Sequence, residues 1–166
     1  MLKKSAILKP FLLKKPFLLI LLLSLTVLKG FSQNKYIATY RPVADSLSEA
    51  YGIPAAVILG VAFIESGAGT SRNSKLLNNH FGIVGKNNLL KTKGIKSRYK
   101  QFPTVASSYI AFCRLLASKK FYPKLKGNMD YKAWLEAMSK AKYSEAPLEW
   151  KKRITSVIKK YKLSEK

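Results

Sequence analysis

The chain has 166 residues, 48% hydrophobic and 11% aromatic, with 31 Lys or Arg against 8 Asp or Glu and a formal net charge of +23. That length suits one domain rather than several. The apolar content is enough to bury a core, which excludes a disordered polybasic tail and puts the charge on a folded surface that attracts polyanions.

The first 32 residues read as a secretory signal peptide, leaving 33–166 as the domain. Lys3, Lys4, Lys9, Lys14 and Lys15 precede the apolar run from Phe17 to Leu28, and Gly30 and Ser32 supply small residues at the minus-three and minus-one positions of a cleavage site. Only 13 residues separate Lys15 from Lys29, short of the roughly 20 that span a bilayer. No stable membrane span is therefore expected, and removing the leader's six lysines lowers the net charge to +17. Cys113 has no partner for an internal disulfide and, within Ala-Phe-Cys-Arg-Leu-Leu, reads as a small buried apolar residue.

Ile37, Tyr40, Val43, Ala44, Leu47 and Tyr51 recur at helical spacing, and Gly52 is placed to cap that helix in the left-handed conformation. After Pro54, the segment Ala55 to Ile64 is apolar on every side, as a helix surrounded by protein must be. Ser66 to Ser71 breaks the pattern, a short polar helix covers Arg72 to Leu77, and Asn78-Asn79-His80-Phe81-Gly82 reads as a turn with His80 a loop residue. Ile83 to Phe102, with Gly85, Gly94 and interspersed lysines, predicts a small β-hairpin or irregular insertion and no packed helix. Thr104 and Asp130 are placed to cap two further helices, and Pro147 opens the last, whose stripe is Trp150, Ile154, Val157, Ile158 and Tyr161. The expected fold is mainly α with one small insertion.

Of the eight carboxylates, only Glu65 interrupts an apolar environment. It ends the all-apolar helix, where desolvation and the negative end of the helix dipole both disfavour its ionised form. A carboxyl kept protonated near neutral pH suits a general acid that donates to a poor leaving group such as a glycosidic oxygen. A Glu at a helix end that simply reaches solvent is the alternative. No Cys or His cluster suggests a metal and no glycine-rich loop suggests a cofactor, so none is expected.

Glu65-Ser66-Gly67-Ala68-Gly69-Thr70-Ser71, followed by Asn78-Asn79-His80-Phe81-Gly82-Ile83, resembles the Glu-Ser-Gly-x-Gly-x-Ser and Asn-Asn-x-Phe-Gly-Ile motifs of bacterial N-acetylglucosaminidases of glycoside hydrolase family 73. The resemblance runs from Tyr36-Ile37, through Tyr51-Gly52-Ile53-Pro54, to Tyr99-Lys100-Gln101-Phe102-Pro103-Thr104, Ser108, Tyr143 and Pro147. It implies a lysozyme-like fold, hydrolysis of the β-1,4 bond between N-acetylglucosamine and N-acetylmuramic acid in peptidoglycan, and Glu65 as the general acid. It also implies substrate contacts at Asn79 and Phe81, with Asn78 and Tyr99 beside them, and a catalytic part for Tyr143 as a partner of the substrate's acetamido group. Read structurally, Asn78 and Asn79 are equally turn formers, Phe81 a core anchor and Tyr143 a buried loop tyrosine.

Two departures from the family pattern bear on mechanism. Ala68 stands where the family commonly has Trp, and no acid occurs from Ser66 through Met129, a stretch with 13 Lys or Arg. With no carboxylate in that stretch to act as nucleophile or base, the expectation is substrate assistance, in which the acetamido group attacks the anomeric carbon. Glu145 is the best remaining second carboxylate, and Asp130 is explained as a cap. A lytic transglycosylase, which also works with one Glu, and a noncatalytic envelope-binding module are the alternatives. A nucleic-acid binder accounts for the charge but for neither the leader nor Glu65. The expected setting is the periplasm or extracellular envelope, as a monomer on peptidoglycan strands, with anionic envelope polymers as further partners of the basic surface.

Overall fold

The structure is a computed structural model that describes the backbone of residues 15–165 and the side chains of residues 33–165. All side chains of the expected leader therefore lie outside the described residues. Two units are distinguished, Met1–Ser32 and Gln33–Lys166. Among the described residues, no helix is long and apolar enough to cross a membrane.

The elements follow as α1 (Lys15–Tyr51), α2 (Ala55–Ser66), α3 (Arg72–Leu77), α4 (Leu89–Lys93), α5 (Val105–Ala117), α6 (Tyr122–Leu125), α7 (Tyr131–Lys140) and α8 (Pro147–Lys160). The expected terminators act as anticipated: Gly52 closes α1 at φ +64, Thr104 Oγ1 accepts from the Ser107 amide, and Asp130 Oδ1 accepts from the Lys132 amide.

The second helix is the core of the Gln33–Lys166 unit. Its residues from Ala56 through Phe63 are all buried, which is why the segment carries no polar face. It meets α8 at Gly60, where a Cβ would stand 3.1 Å from Ile158 and 3.2 Å from Ile154. Glycine there lets the two backbones approach closely. Trp134, Leu135 and Met138 of α7 and Phe112, Cys113 and Leu116 of α5 complete the core. Burial pushes the Cys113 thiol up to about 12, so it stays protonated and packs as a small apolar group.

The insertion from Ile83 to Phe102 is irregular, with a single antiparallel bridge between Val84 and Tyr99. Contrary to expectation, a helix does pack within it: α4 buries Leu89 at 3% exposure. The Asn87 side chain explains this turn. Its Nδ2 donates to the carbonyls of Ser97 and Tyr99, and its Oδ1 accepts from the Leu89 amide, so one side chain does the work of a missing strand. The four-residue α6 was likewise not legible in the apolar spacing.

Candidate active site

Glu65 lies in the last turn of α2, which Gly67 terminates at φ +58 by giving its amide to the Ile64 and Phe63 carbonyls. The helix thus delivers a carboxyl from the core to the floor of an open cleft of about 640 Å³. Trp150 Nε1 donates to Glu65 Oε1 at 2.8 Å, and the indole is 5% exposed. The other oxygen, Oε2, lies on the Gly82 side, 3.9 Å from where a Cβ on Gly82 would stand. Burial pushes the Glu65 carboxyl above the usual carboxylate range, while the indole N–H and the charge of Arg153 pull it partly back.

Phe81, Tyr99 and Tyr143 line the same cleft, as does Glu145, the proposed second carboxylate. Phe81 does so from the core, stacked on Phe112 with centroids 4.3 Å apart. Tyr143 packs against Trp150 at 5.3 Å. Its hydroxyl makes no hydrogen bond among the described residues, and the residue lines the cleft. Burial and the neighbouring Glu65 raise its pKa, which keeps the phenol a donor.

Asn78 and Asn79 stand apart from the cleft lining. Asn78 Nδ2 donates to the carbonyls of Phe102 and Pro103. Asn79 is 1% exposed. Its Nδ2 donates to Ile83 and Lys100 carbonyls at 2.8 and 2.9 Å, and its Oδ1 accepts from the Phe81 and Ile83 amides. These amides pin the insertion to the turn that carries Phe81 and Gly82.

His80 is a loop residue of that turn, as expected, and it is buried there. It is 3% exposed, and its Nδ1 hydrogen-bonds Tyr36 Oη at 2.9 Å. The same phenol bonds Tyr109 Oη at 3.0 Å and receives a hydrogen bond from Ser66 Oγ at 3.2 Å. Ser66 Oγ in turn accepts from the Gly69 amide at 2.8 Å. This buried chain ties α1, α5 and the two motifs to the residue after Glu65. Burial lowers the His80 pKa to about 4, so the ring is neutral.

Sequence reasoning placed Trp150 on a core stripe and missed its bond to Glu65. It also treated Gly82 as a turn residue, whereas at φ +65 it brings bare backbone beside Oε2 and the Tyr99 ring edge. Of the other acids, Asp130 caps α7 and Glu136 bonds Lys151 at 2.6 Å. Among the described residues, no cluster of His, Cys, Asp or Glu would hold a metal ion.

A helical domain whose core helix delivers a half-buried carboxyl to an open cleft has the arrangement a glycoside hydrolase requires. Residues 41–163 match the glucosaminidase model, described as mannosyl-glycoprotein endo-beta-N-acetylglucosaminidase, and the chain belongs to that family. The fold is similar to the catalytic domain of the autolysin Auto from Listeria monocytogenes, with TM-score 0.66 and 21% identity, covering 80% of this chain and 86% of that one. It is also similar to the glycoside hydrolase domain of FlgJ from Salmonella typhimurium, with TM-score 0.62 and 22% identity over 78% and 88% of the two chains. A peptidoglycan hydrolase from Sphingomonas sp. A1 matches with TM-score 0.59 and 18% identity over 80% and 95%. Comparison with curated proteins returns no match.

Proposed function

We propose that the protein is an envelope peptidoglycan hydrolase that cleaves the β-1,4 bond between N-acetylglucosamine and N-acetylmuramic acid, with Glu65 as general acid. The observation that carries this is the Glu65 carboxyl itself. One oxygen is fixed by Trp150 at 2.8 Å, the other lies toward Gly82, and burial raises the pKa of the group above that of an exposed carboxyl, the direction a general acid needs. Family membership and the fold shared with peptidoglycan hydrolases support the choice of substrate.

Glu65 gives its proton to the glycosidic oxygen as the bond to the anomeric carbon breaks. The carbonyl oxygen of the substrate's own acetamido group closes on that carbon to form an oxazolinium ion, which keeps its N–H proton and balances the charge of the Glu65 carboxylate. Glu65 then takes a proton from the water that adds to the anomeric carbon and reopens the ring, so the neutral acetamide returns, the β configuration is retained and the acid is regenerated. The Tyr143 hydroxyl orients the acetamido group, and Phe81 and Tyr99 build the wall. Asn78 and Asn79 serve the substrate by holding this wall in register. A second reading is favoured by Glu145, which lines the same cleft and would act as the second carboxylate.

Digestion of purified glycan strands followed by mass spectrometry tests the proposal. Reducing N-acetylglucosamine ends support it, whereas anhydromuramyl ends identify a lytic transglycosylase. Product that first appears as the α anomer excludes substrate assistance, and full loss of activity in Glu145→Gln selects the two-carboxylate route.

A further inference from the structure

The reaction above employs Glu65, Tyr143 and the aromatic wall, and leaves three cations of the cleft without a role. Arg98, Lys119 and Lys142 come from separate segments: the end of the insertion, the turn after α5 and the turn after α7. None is in an ion pair among the described residues, where the ion pairs join Lys140 and Lys151 to Glu136 and Lys162 to Glu165. The acids of the lining are Glu65, which is half-buried, and Glu145. The cleft lining therefore presents three positive charges against one exposed acid.

Local structure sets two of these cations in place. The Arg98 guanidinium lies over the Tyr99 ring, 5.5 Å from its centroid, and the edge of that ring faces Gly82 beside Glu65. Lys142 adopts φ +53 at the end of α7, a position where Gly or Asn is the less strained residue. Sugar hydroxyl and acetamido groups are neutral and gain little from such a lining. Carboxylates match it, through charge-assisted hydrogen bonds and the planar fork of arginine. On a peptidoglycan strand, the free carboxylates are those of the peptide stems.

We propose that Arg98, Lys119 and Lys142 form a carboxylate subsite that takes the stem-peptide carboxylates of the glycan strand being cut. The inference rests on the hydrolase reading and adds a preference to it: strands with ionised stems are cleaved faster than strands whose stems are neutral. The exposed Lys86, Lys96 and Lys100 of the insertion extend the same field away from the cleft.

The test compares kcat/KM of the purified protein on soluble stem-bearing strands and on the same strands with stem carboxyls converted to methylamides. The native strands are expected to be preferred about tenfold at about 50 mM salt, with the preference shrinking at about 500 mM. In the triple variant Arg98→Gln, Lys119→Gln, Lys142→Gln the ratio falls to near one, and in Arg98→Gln alone by about two- to threefold. Equal cleavage of both strands by the unaltered protein overturns the subsite while leaving the hydrolase reading intact. A ratio that survives in the triple variant overturns it as well. Failure to cut either strand overturns the hydrolase reading and the subsite with it.

Discussion

Trp150 Nε1 donates to Glu65 Oε1 at 2.8 Å, so the last helix of the domain holds the carboxyl that the core helix delivers. The indole is buried, and the bond it makes stabilises the ionised form of the acid against the desolvation that opposes it.

Trp150→Phe removes this donor and keeps most of the ring volume. Glu65 loses a contact that lowers its pKa, so the pKa rises. Because the acid works protonated, the alkaline limb of the pH–rate profile moves to higher pH, while kcat falls about tenfold as the carboxyl loses its fixed orientation. A limb that stays in place or moves down would show that the indole has no hold on the acid.

Glu65→Gln is expected to abolish turnover by about a thousandfold or more with the fold retained. The folded-state pKa of Glu65 is raised, so its stabilising contribution is present below the unfolded value and is lost as pH rises through the folded value. The variant should accordingly melt above the unaltered protein at about pH 8, with the gap narrowing toward about pH 4, as read by circular dichroism.

Tyr143→Phe deletes a hydroxyl that has no partner among the described residues, on a side chain that lines the cleft. Stability should change by less than about 0.5 kcal/mol. Single-turnover kinetics should show about a tenfold loss in the chemical step, because the acetamido group loses its orienting donor. A large drop in melting temperature would instead assign Tyr143 a packing role.

Asn79→Ala frees two carbonyls and two amides that the side chain now engages. A loss of about 2–3 kcal/mol in denaturant unfolding is expected, since buried polar groups are left without partners. Asn79→Asp, which retains the acceptor but turns a carboxylate oxygen toward the Ile83 and Lys100 carbonyls, should cost at least as much. A stable Asn79→Ala with impaired substrate binding would return Asn79 to direct contact with the sugar.

Much of this site is legible in the chain itself. Glu65 stands out because it ends a helix with no polar face, and the terminators Gly52, Thr104 and Asp130 act within a turn of their own position. The insertion was harder to read. Its α4 depends on Asn87 reaching across to Ser97 and Tyr99, a contact between residues ten and twelve positions apart that carries no period. His80 is the loop residue expected, but its partner Tyr36 lies 44 positions away, so its burial carries no local signal either.

The sequence by itself determined the helical class and the one carboxyl set in an apolar run, because both follow from local spacing and from the cost of burying a charge. The tertiary structure decided what surrounds that carboxyl. Trp150, Gly82 and Tyr143 meet it, and the three cleft cations line the same cleft, from segments whose mutual approach is set by packing at Gly60 and around the core, and no pattern along the chain encodes that approach.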